Sequence, residues 1–303
     1  MRWLGGRESS NVEDRRGPGG FGGGGFPVGV GGGLGAIVVV VLGLLFGIDP
    51  SVLMSMLNGE APQQTQTQTQ TRPDDGAGYG SSRPPQSAGG DSMRRFVSVV
   101  LADTEDVWRR VFREMGRNYD EPKLVLYERT VPSACGRASS SSGPFYCPND
   151  QKAYFDLSFF DEMKRRFHAA GDFGQAYVIA HEIGHHVQNE LGILGRAHAE
   201  RERSDPRRAN AISVRIELQA DCLAGVWAHH AQRARQILEQ GDIEEAMNAA
   251  AAVGDDRLQQ QRSGVVVPDA FTHGSSAQRV RWFKTGLENG NLKACDTFAA
   301  AQP

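Results

Sequence analysis

The chain has 303 residues and a net charge of −3, enough for one large or two ordinary domains and without the global basic field that binds nucleic acid. Many of its 37 glycines fall between Gly5 and Gly35, so glycine richness belongs to the N-terminal end and not to a folded body. The 4 cysteines, Cys135, Cys147, Cys222 and Cys295, form no C-x-x-C pair, which argues against a cysteine-ligated zinc site, and an even number is compatible with an oxidising compartment.

Residues 1–27 carry Arg2, Arg7, Arg15 and Arg16 followed by a glycine run. They lack the apolar content of a core and read as a disordered tail. Residues 28–48, "VGVGGGLGAIVVVVLGLLFGI", carry no charge. At about 1.5 Å per residue a helix of that length spans a bilayer. No A-x-A cleavage site follows, so the segment reads as an uncleaved anchor. Four arginines precede it, and neither Lys nor Arg occurs from Asp49 to Thr71. The positive-inside rule then gives a single-pass inner-membrane protein with a cytoplasmic N-terminus and an extracytoplasmic domain. Residues 49–92 include "QQTQTQTQTRPDDGAGYGSSRPP" and read as a low-complexity tether.

Residues 93–303 hold the domain. In "DTEDVWRRVFREMG", Val107, Trp108, Val111, Phe112 and Met115 share one helical face. "KLVLYE" and "KAYFDL" read as strands, and the Ser- and Gly-rich segment between them as a loop with Cys135 and Cys147 at its ends. A bridge across it would close a loop of about a dozen residues and contribute roughly 3 kcal/mol. Four cysteines allow three pairings, and spacing alone does not choose among them. Ser158 is the expected N-cap of the next helix. A histidine-bearing helix follows, ending near Gly192. The next starts with Asp205 as N-cap and Pro206 at its first position. Asp242 and Glu245 form a capping-type pair, and a last helix runs from Ser275, with Gln278 three residues on, to Gly290. The expected fold is α+β, mostly helical with a small sheet, preceded by one transmembrane helix.

The histidine helix carries H-E-x-x-H at His181, Glu182 and His185. Residues four apart lie one turn apart on one face, so both imidazoles can meet one ion, while Glu182 can take a proton from a water polarised there. Chance places this motif in about one chain of this composition per hundred. His186 points to another face and is not expected to be a ligand. A catalytic zinc site takes three protein ligands. The metzincin extension needs Gly and His where Gln188 and Leu191 stand, so it fails. "IELQADC" instead offers Glu217 as third ligand, with Asp221 one turn on to accept the second N–H of a ligand histidine.

"HEIGHHVQ", "ELQADC" and "FTHGSSAQRVRWF" together resemble the bacterial neutral zinc metallopeptidase family, a membrane-anchored group, and more distantly the glutamate-ligated zincins of the HtpX/CAAX-protease kind. The resemblance covers most of residues 93–298 in motif. It implies a zincin-like domain binding one Zn²⁺ through His181, His185 and Glu217, with Glu182 as catalytic acid–base and Asp221 supporting a ligand. It further implies His273 as oxyanion donor and Arg279 as a supporting residue, although Gly274 stands where relatives carry proline. By the same resemblance "KAYFDL" is an edge strand for an extended peptide, and a Cys222–Cys295 bridge would tie the C-terminus to the ligand helix. The expected activity is zinc-dependent peptide hydrolysis on a protein or peptide substrate, with membrane attachment through residues 28–48 and no nucleic-acid partner. The alternative class is a non-catalytic, zinc-stabilised scaffold that binds envelope proteins; a tether without metal is a third.

Overall fold

A computed structural model describes residues 1–16, 88–166 and 171–303. The expected membrane span at 28–48 and the expected tether up to residue 87 lie outside them, while residues 88–92, expected to end the tether, begin the first helix. Among the described residues no helix is long and apolar enough to cross a membrane. The fold is α+β, mostly helical with two small sheets.

The larger sheet has the order β1-β2-β6-β5, from β1 (Val12–Asp14), β2 (Lys123–Tyr127), β6 (Lys152–Asp156) and β5 (Phe145–Cys147). β1 and β6 flank β2 in parallel, and β5 pairs antiparallel with β6. Val125, Leu126, Tyr154 and Phe155 are all buried, the continuous apolar pattern of a sheet covered on both faces. β6 is therefore an interior strand. The edge expected along "KAYFDL" belongs to β5. The segment read as a loop holds a hairpin of β3 (Thr130–Ser133) and β4 (Gly136–Ser139), then β5. Its small polar residues hide the strand periodicity. Cys135 is bonded to Cys147.

The eight described α-helices are α1 (Ala88–Glu114), α2 (Ser158–Arg166), α3 (Asp172–Glu190), α4 (Ile193–Arg201), α5 (Pro206–Arg235), α6 (Asp242–Ala252), α7 (Asp255–Ser263) and α8 (Ser276–Asn289). Parallel strands need a crossover, and α1 lies in the connection from β1 to β2. Val107, Trp108, Val111 and Phe112 face the core as the periodicity predicts, but Met115 follows the last helical turn and is 46% exposed. Asp205 caps α5 with Pro206 at its first position, and Ser275 and Gln278 form a capping box on α8. Two other caps differ from expectation. The Ser158 N–H donates to Asp156, so Ser158 opens α2 and does not cap it. Asp242 does not cap α6, because its carboxylate meets the Met1 ammonium and the Glu239 N–H, while Glu245 accepts from the Phe173 N–H.

Residues 1–16, expected to be part of a disordered tail, pack on the domain. Their few apolar side chains suffice because charge and backbone pairing do the rest. The Met1 ammonium lies 2.6 Å from Asp172 and 3.3 Å from Asp242. Trp3 packs edge-on against Phe96, Arg7 donates to Glu105, and Lys152 pairs with Glu13 at 2.9 Å. β1 is hydrogen-bonded to β2, so the N-terminal residues supply a strand of the domain's own sheet.

Three glycines set the distances that matter for the site. A Cβ on Gly184 of α3 would stand 3.0 Å from the Ala220 carbonyl of α5. One on Gly286 of α8 would stand 1.9 Å from the Cys222 carbonyl, and one on Gly225 of α5 would stand 2.1 Å from the Phe283 carbonyl. α5 is thus clamped between α3 and α8 at near backbone contact. Cys222 is also bonded to Cys295, which ties the C-terminal segment to α5.

Candidate metal centre

His181 and His185 stand one turn apart on α3, facing Glu217 on α5. The close approach at Gly184 and Ala220 brings the two helices together there. His181 Nε2 lies 3.2 Å from one Glu217 oxygen and His185 Nε2 lies 3.6 Å from the other. One donor atom from each residue falls within 4.8 Å of the other two. The opposite ring nitrogens are already committed. His181 Nδ1 donates to Asp221 at 2.8 Å, and Asp221 as a carboxylate can only accept. His185 Nδ1 pairs with Gln188 Oε1 at 2.8 Å; the Gln188 amide nitrogen donates to the Ile216 carbonyl and Gln219, leaving its oxygen for the histidine. In its neutral form each imidazole would present an Nε2 lone pair to the same point. Two imidazole nitrogens and a carboxylate oxygen suit zinc, and each histidine has the outer partner that fixes a ligand tautomer.

His186 is excluded from this group as expected: Tyr146 hydroxyl and the Asp120 carbonyl occupy its two nitrogens. A second acidic cluster, Asp172, Asp242 and Glu245, surrounds the N-terminus and is used by the Met1 ammonium.

The charges follow from this packing. Burial pushes the Glu217 carboxyl up, but the imidazoles of His185, His181 and His273 outweigh it and hold it well below the usual range. Burial disfavours the His181 imidazolium, yet Asp221 and Glu217 overcome it and raise its pKa to about 9. Glu182 is buried beside His181. Burial lifts its carboxyl pKa and Glu217 adds to the lift, against the two imidazoles. Asp221 is fully buried. It accepts from Arg279 Nε at 2.8 Å and Nη2 at 2.9 Å, from His181, and from the Tyr177 hydroxyl at 2.5 Å. Arg279 therefore acts on His181 through Asp221, a fork-to-carboxylate pair made possible by the α5–α8 contact.

His273 reaches the site by a route the sequence reading missed. Asp255, at the start of α7 and 1% exposed, accepts from the backbone N–H groups of Thr272, His273 and Gly274 and lies 3.3 Å from His273 Nδ1. Gly274 has φ 89°, which no proline can adopt, and its N–H bond to Asp255 is one that proline lacks. The turn is held by a buried carboxylate. An aspartate eighteen residues before its histidine gives no local sequence signal.

Helices α3, α5 and α8 thus bring together two histidines and a glutamate that could hold a metal ion, beside a neighbouring carboxyl and a buried Asp–Arg pair. The family model described as "Putative neutral zinc metallopeptidase" matches residues 1–298, and the chain belongs to that family. The chain is 48% identical over 303 residues to the uncharacterized protein YpfJ of Escherichia coli K12, covering 98% of this chain and 99% of that one. It is 42% identical over 268 residues to the uncharacterized protein Rv2575 of Mycobacterium tuberculosis H37Rv, covering 85% of each. No solved structure matches the chain.

Proposed function

We propose that this chain is a zinc-dependent peptidase in which His181, His185 and Glu217 hold the metal and Glu182 is the general acid–base. The observation that carries the reading is the commitment of both Nδ1 atoms, which leaves two Nε2 atoms and a carboxylate converging beside a buried glutamate. Family membership supports the hydrolase class. Zinc bound there would supply Lewis acidity to a water and to the scissile carbonyl. Glu182 takes a proton from the attacking water and returns it to the leaving amine. His273, held by Asp255, donates to the oxygen on which negative charge develops. Asp221 and Arg279 keep His181 oriented through the cycle.

Replacing Glu182 by Gln tests this. It keeps the shape and the three ligands but cannot carry the proton. The expected result is one zinc per chain retained and peptide hydrolysis lost. Unchanged biological activity of that variant would favour the zinc-stabilised scaffold instead. Absence of zinc from protein purified without chelators would remove the metal reading altogether.

Membrane association through residues 28–48 belongs to the proposal, with residues 1–16 and the domain on one side. The two disulfides favour the oxidising, extracytoplasmic side for both.

A further inference from the structure

Among the described residues, one buried guanidinium nitrogen on the helix packed beside the candidate metal centre has no acceptor. α4 packs through Leu194 and Ala197 onto Ile212 and Ile216 of α5, one residue before Glu217. Arg201 follows Ala197 by one turn on the same face of α4. Two arginines among the described residues bury an Nε with no acceptor, Arg110 and Arg201. Arg110 still reaches the His230 carbonyl, whereas the Arg201 side chain makes no hydrogen bond or ion pair within the described residues. Its surroundings place it toward the ligands. Burial lowers its pKa and Glu217 is the charge that opposes this, while His198, one turn earlier on α4, feels both Arg201 and His185.

The charges around the site otherwise match. Asp221 is paired with Arg279 and Asp255 with His273. Glu217 and Glu182 together balance a divalent ion. Arg201 is left over, and a half-buried guanidinium is satisfied by a carboxylate fork better than by a neutral carbonyl. On the peptidase reading, we infer that Arg201 anchors a carboxylate of the substrate close to the scissile bond, so that the site selects peptides with an acidic side chain or a free C-terminus there.

The test uses zinc-loaded full-length Glu182→Gln, which can bind without turning over, and the same protein carrying Arg201→Gln. Calorimetry compares peptide pairs that differ by one carboxylate. One arm sets a free C-terminal acid against its amide, and the other sets Asp or Glu against Asn or Gln on either side of the cleaved bond. In the parent the acidic member should bind roughly ten- to hundredfold tighter, and Arg201→Gln should bring that ratio close to one. Arg201→Lys, which keeps the charge but not the fork, should retain part of it. The arm that shows the preference identifies the source of the carboxylate. A ratio near one in the parent, or an equal ratio in parent and Arg201→Gln, overturns the inference. If wild-type zinc-loaded protein fails to cleave the peptides that Glu182→Gln binds selectively, the peptidase reading falls while the carboxylate anchor stands. No binding of any peptide overturns both.

Discussion

Replacing Asp221 by Asn puts the support of the metal site to a quantitative test. The Asp221 carboxylate serves four donors. Its Oδ1 takes Tyr177, His181 and Arg279 Nη2, and its Oδ2 takes Arg279 Nε. Asparagine offers a single acceptor oxygen. In its better orientation the new NH₂ meets Arg279 Nε; in the other it meets three donors. Either way Arg279, 3% exposed, becomes an unpaired buried charge. Breaking such a pair costs about 3–5 kcal/mol, a large share of the roughly 5–15 kcal/mol that holds a domain together. In the better orientation His181 keeps an acceptor but loses the carboxylate charge, and mutating such an outer partner lowers metal affinity about ten- to hundredfold. Urea unfolding of the metal-free protein isolates the first effect, and zinc competition against a chelator reads the second. The double variant Asp221→Asn/Arg279→Met should recover part of the stability, because no buried charge is then left alone. An Asn variant within about 1 kcal/mol of wild type and unchanged in zinc affinity would refute the role assigned to this pair.

Three other outcomes follow from the packing. Gly286→Ala drives a methyl group into the Cys222 carbonyl, so α8 must move off α5. The variant should lose about 1–3 kcal/mol and weaken zinc binding by displacing Arg279; a stability loss with unchanged zinc affinity would separate the clamp from the site. Glu13 is driven up by burial but held down to about 2 by Lys152 and Arg15. Its folded pKa lies below its unfolded value, so its contribution is complete above pH 4.5 and is lost as the pH falls through about 2. Glu13→Gln should therefore cost about 2 kcal/mol at pH 7, with the gap to wild type closing in acid; a gap independent of pH would contradict the pairing. Finally, single cysteines introduced at Ser10 and at Gln302 in intact cells should react alike with a membrane-impermeant maleimide. Opposite labelling would break the pairing of β1 with β2.

The clustering of His181, His185 and Glu217 was legible because helix periodicity turns sequence spacing into geometry. His181 and His185, then Glu217 and Asp221, are each one turn apart, so each pair had to share a face whichever way the helices packed. The same holds for the caps at Asp205 and Ser275, whose signals sit within four residues of their targets. What the spacing did not carry is contact between distant parts of the chain. Asp255 gives no sign that it will hold His273. Asp242 looks like a cap because nothing local says that the Met1 ammonium will take its carboxylate. Arg201 looks like any charged residue at the end of a surface helix until its lack of an acceptor is seen.

The N-terminal strand shows the same limit on a larger scale. A glycine- and arginine-rich start has the composition of a disordered arm, and hydropathy then assigns it to the opposite side of a membrane from the domain. Composition averages over residues 1–27, whereas pairing needs only Val12, Glu13 and Asp14 to meet Leu124, Val125 and Leu126.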